Sequence, residues 1–135
     1  MNRYAKLIEK NSFEAYNVAI RLHISEVRCM QKIDLSGLWQ VYLDKDKSPA
    51  LPAVYPDAIT LPGTTSAAGL GPENPARETY FLTDAHKFEG YAWFMRTFES
   101  GDWQNMQVEL TLERTRRTTV WLDGKEVGRA QCPIA

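Results

Sequence analysis

The chain has 135 residues, 16 basic and 17 acidic side chains and a formal net charge of −1, with 44% hydrophobic and 11% aromatic residues. That size fits one domain with one sizeable core and the composition of an ordinary globular protein, and the balanced charge gives no footing for nucleic acid or an anionic membrane surface. No apolar run approaches the ~20 residues of a membrane span.

Cys29 and Cys132 are the only cysteines, too few for a disulfide framework. No Cys-x-x-Cys pair or His cluster is present, so neither a metal nor a cofactor is expected. Residues 1–10 carry charges throughout and no apolar stretch follows, so no secretory signal is read. Taken literally that places the chain in the cytoplasm. Met30 is an alternative start, and localisation is left open.

In chain order, residues 1–30 read as an extension. Phe13, Tyr16, Ile20, Ile24 and Val27 recur at spacings of three and four, with Asn11 as N-cap and Glu14 three residues on, which suits an amphipathic helix. Val18, Ile20, Leu22 and Ile24 also alternate as a strand would. Length favours the helix.

From Ile33 the pattern turns to short β segments. Trp39, Val41 and Leu43 alternate with Gln40 and Tyr42, predicting a strand with its apolar face on one side. Pro49, Pro52 and Pro56 exclude a central strand over 44–56. Ile59–Leu61 is a short strand stopped by Pro62-Gly63. Thr64–Glu78, broken by Gly69, Gly71-Pro72 and Pro75, reads as a long surface loop, and loops of that length are usually functional or disordered. Tyr80–Leu82 is another short strand candidate.

Tyr91–Phe98 is apolar on both faces, with Trp93 and Met95 on one side and Phe94 and Phe98 on the other, which predicts burial on both. Gly101-Asp102 marks a turn. In Gln107–Leu112, Val108, Leu110 and Leu112 face inward. The last recognisable unit is a hairpin turning at Asp123-Gly124, a dipeptide that tolerates the positive φ of a two-residue turn and places Val120 opposite Val127. Short strands with little helix indicate an all-β fold, a β-sandwich. Only seven residues follow Gly128, among them Pro133. An unpaired sheet edge is expected where a closing strand would lie.

Four segments, taken together, resemble one family. They are Leu35-Ser36-Gly37-Leu38-Trp39, then Leu61-Pro62-Gly63-Thr64-Thr65 with Ala68-Gly69-Leu70-Gly71, then Gly90-Tyr91-Ala92-Trp93-Phe94-Met95-Arg96-Thr97-Phe98, and the hairpin running from Leu110 to Gly128. In this order they resemble the N-terminal sugar-binding domain of glycoside hydrolase family 2, which includes β-galactosidases, β-glucuronidases and β-mannosidases. The resemblance runs from about Ile33 to Gly128 and leaves residues 1–30 uncovered.

It implies a jelly-roll β-sandwich of the galactose-binding-domain-like kind, occupying 31–135 and cut short at its C-terminal end. In the full enzyme that domain packs beside a catalytic barrel carrying the two carboxylates of a retaining glycosidase. No catalytic residue is assigned in this chain, which is expected to be inactive by itself. The implied partners are a carbohydrate, such as a β-galactoside, and the further domains of the parent enzyme.

Sugar-binding candidates are Lys87, Glu89, Tyr91 and Trp103. Lys87 stands where some family members carry Asn, three residues before the Gly that opens the strand. Trp103, beside the Gly101-Asp102 turn, reads as the most exposed tryptophan, whereas Trp39, Trp93 and Trp121 lie in alternating strands and read as packing residues. The match at Arg96 suggests an ion pair or an interdomain contact. Arg114, Arg116 and Arg117 form a small basic cluster, and His23 and His86 lack a nucleophile context. Two other readings stay open: a free-standing carbohydrate-binding module, and a structural sandwich from an interrupted reading frame.

Overall fold

A computed structural model describes residues 2–10, 20–26, 29–76, 83–101, 103, 107–112, 115 and 117–131, and up to residue 31 it describes the backbone only. The described residues form nine strands and no helix: β1 (Asn2–Lys10), β2 (Ile20–Glu26), β3 (Cys29–Asp34), β4 (Gly37–Asp44), β5 (Asp57–Leu61), β6 (Tyr91–Glu99), β7 (Gln107–Leu112), β8 (Arg117–Leu122) and β9 (Lys125–Gln131). They make a six-stranded sheet in the order β5-β4-β6-β1-β8-β9 and a three-stranded sheet in the order β3-β2-β7. Every pairing between these strands is antiparallel. The protein is all-β.

The alternation seen in the sequence decides which faces meet. Trp39 and Val41 on β4, Ile59 and Leu61 on β5, and Ala92, Phe94 and Phe98 on β6 are buried in one cluster with Leu35. Leu110 and Leu112 of β7 and Ile33 of β3 pack against that cluster from the smaller sheet, while Val120 and Leu122 join it from β8. Two antiparallel sheets thus enclose one apolar interior, an arrangement consistent with a β-sandwich. Val108 departs from the expected inward face of β7 and is 38% exposed. Trp93 lies on the opposite face of β6 from Phe94 and is also fully buried, so both faces of this strand are covered, as its composition predicts.

Residues 20–26 form strand β2, which corrects the helix reading for that stretch. The same apolar residues satisfy both periods. Pairing decides between them, because β3 and β7 supply hydrogen-bonding edges on both sides of β2. Residues 11–19 and 27–28, where the rest of the expected helix falls, lie outside the described residues. The segment before residue 31 also supplies β1, which runs between β6 and β8 with Lys10 opposite Tyr91 and Glu9 opposite Thr118.

The chain passes from β3 in one sheet to β4 in the other through only Leu35 and Ser36. That corner is held from several directions. The Ser36 N–H donates to Asp34 Oδ1 at 2.8 Å. The Trp39 indole N–H donates to the Leu35 carbonyl at 2.8 Å. Arg96, reaching from β6, donates from Nη1 to the carbonyls of Leu35 (3.0 Å) and Ser36 (2.7 Å). Gly37 has φ +116°, and a Cβ there would stand 3.1 Å from the same guanidinium, so this residue has both a conformational and a steric reason to be glycine.

At the other hairpin, Asp123 and Gly124 have φ of 50° and 78°, the two positive values that a type I′ turn requires. The pairing beyond it corrects one detail. Val120 faces Gly128 and Trp121 faces Glu126, so Val127 is an extra residue in β9, a β-bulge, and Val120 does not oppose Val127. Tyr80–Leu82 and Cys132 lie outside the described residues.

Candidate functional site

The candidate surface is built by two loop arms at the start of β6. After β5 the chain makes a compact turn in which the amides of Ala68, Gly69 and Leu70 donate to the carbonyls of Thr64, Ser66 and Thr65 at 2.9–3.1 Å. The Ala67 amide donates to Thr64 Oγ1 at 3.0 Å. The arm that follows, residues 71–76, runs beside residues 83–88.

Hydrogen bonds fasten the arms to each other and to the turn before them. The Asn74 amide donates to the Ala85 carbonyl (2.8 Å) and the Lys87 amide to the Pro72 carbonyl (3.0 Å). Asn74 Nδ2 donates to the Asp84 carbonyl at 3.1 Å. The His86 amide donates to Ser66 Oγ at 3.2 Å. His86 Nδ1 donates to the Gly71 carbonyl at 2.9 Å, which fixes the ring.

The arms end on Gly90, the buried residue before β6. A Cβ there would lie 2.5 Å from the Asp44 carbonyl oxygen and 2.6 Å from the Phe88 ring. The close approach brings the end of β4 against the entry to β6, where Asp44 pairs with Tyr91. The Asp44 carboxylate is itself buried and accepts the amides of Asp46 (3.1 Å) and Ser48 (2.8 Å), which turns the chain into the 45–56 loop.

Lys87 and Glu89 form an ion pair at 3.4 Å with side chains 47% and 63% exposed. At that exposure the pair contributes little to stability and remains open to solvent. Tyr91 is half-buried two residues further on. These three candidates therefore lie on one short stretch that the fastened arms present at the entry to β6.

Trp103 does not join them. It is half-buried, packs against the core cluster and stacks on Phe98 with ring centroids 5.9 Å apart. Phe98 is seven positions along β6 from Tyr91, a separation of about 24 Å at the usual strand rise. The expected exposure of Trp103 is thus corrected, for a ring beside a turn finds apolar cover when a core strand ends next to it. Trp39 and Trp93 are fully buried, and Trp93 meets the half-buried Trp121 with centroids 5.1 Å apart.

Arg96 bonds the backbone carbonyls of Leu35 and Ser36 at the corner between the sheets. Arg117 is exposed at the start of β8, and Arg114 and Arg116 lie outside the described residues. The side chain of His23 lies outside them too. Among the described residues no group of three or more His, Cys, Asp or Glu side chains is placed to hold a metal ion. Ser66, Asn74 and His86 were not legible as site-forming residues, because their partners lie 10–20 positions away in sequence.

Comparison with family models, with curated proteins and with solved structures gave no match.

Proposed function

We propose that this chain is a non-catalytic sugar-binding domain of the kind found at the N-terminus of family 2 glycoside hydrolases, with Lys87, Glu89 and Tyr91 as its ligand-facing residues. On this reading the two antiparallel sheets are layers of a jelly roll, and the domain supports a β-glycosidase active site supplied by further domains. One observation carries the reading beyond the motifs themselves. The Leu35–Trp39 segment and the Tyr91–Phe98 strand, some 60 residues apart, meet through Arg96, whose guanidinium binds the carbonyls of Leu35 and Ser36. Two of the four family-like segments therefore form one structural unit, as members of one motif set would.

Calorimetric titration of the chain with β-galactosides and β-glucuronides tests the proposal. Heat of binding that is lost in both Lys87→Ala and Tyr91→Ala is the expected result. Absence of heat with every glycan would remove the sugar-binding role. Release of nitrophenol from an aryl β-galactoside by the purified chain would contradict the non-catalytic assignment.

A further inference from the structure

β1 occupies an unusual position for its place in the sequence. It bridges β6 and β8, and so joins the β5-β4-β6 half of the large sheet to the β8-β9 hairpin. Both of its partners are distant: Lys10 pairs with Tyr91, 81 positions away, and Ala5 pairs with Leu122, 117 positions away. By contrast β4–β5 and β8–β9 are sequence neighbours. The strand that follows β1, after nine intervening residues, belongs to the other sheet. No local pairing therefore ties β1 to walls of its own chain.

The slot has its own definition. Trp93 on β6 stands opposite Ile8 of β1 and Trp121 on β8 opposite Lys6, two positions along the same strand, and their rings meet at 5.1 Å with a 38° tilt. Strands two places apart in a sheet are separated by about 9.5 Å. The two indoles thus span the width of β1 and fasten the walls to each other directly. Any strand with the sequence and direction of β1 meets the same two backbone edges, whichever copy supplies it.

We propose that the β6–β8 slot also accepts β1 from a second copy of this chain, giving a reciprocal, strand-exchanged dimer. Every hydrogen bond of the slot is kept in the exchange, and the two-fold arrangement closes on itself. Intramolecular insertion competes through an effective concentration of order 1 mM or below for a tether of this kind, so exchange gains when chains fold at concentrations near that value.

The test uses full-length chains with Cys29→Ser and Cys132→Ser. One carries Lys6→Cys and the other Met95→Cys, positions directly opposite in the register. Opposed residues of an antiparallel pair have Cα separations that suit a disulfide. The two chains are mixed in urea, refolded at about 0.5 mM or at about 1 µM, and oxidised. Light scattering on a sizing column and non-reducing gels follow. Expected are a species of doubled mass in the concentrated sample only, and a Lys6→Cys to Met95→Cys cross-link between chains within it.

The same two substitutions in one chain should give an internal disulfide and a monomer after dilute refolding, and a dimer with reciprocal interchain disulfides after concentrated refolding. The pair Tyr4→Cys and Thr97→Cys, also opposite in register, repeats the test at an exposed β6 position. A monomer at both concentrations, or a dimer lacking the cross-link with both pairs, overturns the proposal.

Discussion

Replacing Arg96 by Met removes the guanidinium that fastens the corner between the sheets while keeping an unbranched side chain of similar reach. Two hydrogen bonds are lost, to the carbonyls of Leu35 and Ser36. Bonds from a charged donor contribute about 1.5–3 kcal/mol each when well buried. Here the side chain is half-buried, and Leu35 retains its bond from the Trp39 indole, so the two losses are unequal. Ser36 loses its guanidinium donor, whereas the Leu35 carbonyl loses one of two. The expected cost is about 2–3 kcal/mol.

Urea unfolding followed by tryptophan fluorescence and far-ultraviolet circular dichroism measures it. With a slope near 2 kcal/mol per molar, the midpoint should fall by about 1–1.5 M with the slope unchanged. Trp39→Phe supplies the decisive control. Alone it leaves Leu35 bonded to Arg96, but combined with Arg96→Met it strips a buried carbonyl of both donors. The double variant should therefore lose about 1 kcal/mol or more beyond the sum of the single variants. An Arg96→Met variant within about 0.5 kcal/mol of the parent, or strict additivity in the double, would refute this account of the corner.

Gly90→Ala forces a Cβ to 2.5 Å from the Asp44 carbonyl and 2.6 Å from the Phe88 ring, so a loss of about 2–4 kcal/mol is expected in the same unfolding assay. Gly124→Ala, with nothing within 4 Å but φ +78°, should cost only about 1–2 kcal/mol, and reversal of that order would count against the packing described at the entry to β6. Burial pushes the Tyr55 phenol from 10.0 up to about 12. In the unfolded chain it ionises first, so its contribution is intact below about pH 10 and stability declines as pH rises from there toward 12. Urea midpoints at about pH 9 and about pH 11 should separate less in Tyr55→Phe than in the parent, and equal separations would sink this assignment.

How much could be read in advance depends on the range of the interaction. The strand at 37–44 was legible because alternation is a property of neighbouring residues, and the core needed only the face bearing Trp39 and Val41. The Asp123-Gly124 turn was legible for the same reason, since positive φ is a local preference. Lys87, Glu89 and Tyr91 are near neighbours in sequence and stay together in space. Trp103 was misread because its exposure depends on Phe98 and on the end of a core strand.

The sequence by itself determined the β character from residue 33 onward, the inward face of β4, the burial of β6 on both faces and the hairpin turn, all of which follow from periods and φ preferences within a few residues. Tertiary structure decided that residues 20–26 extend as a strand, because the competing helix could not offer its backbone to β3 and β7. It also decided that Val127 bulges, that Arg96 bolts two sheets together, and that β1 lies between β6 and β8. Each of those outcomes rests on hydrogen-bonding partners that only the folded chain brings within reach.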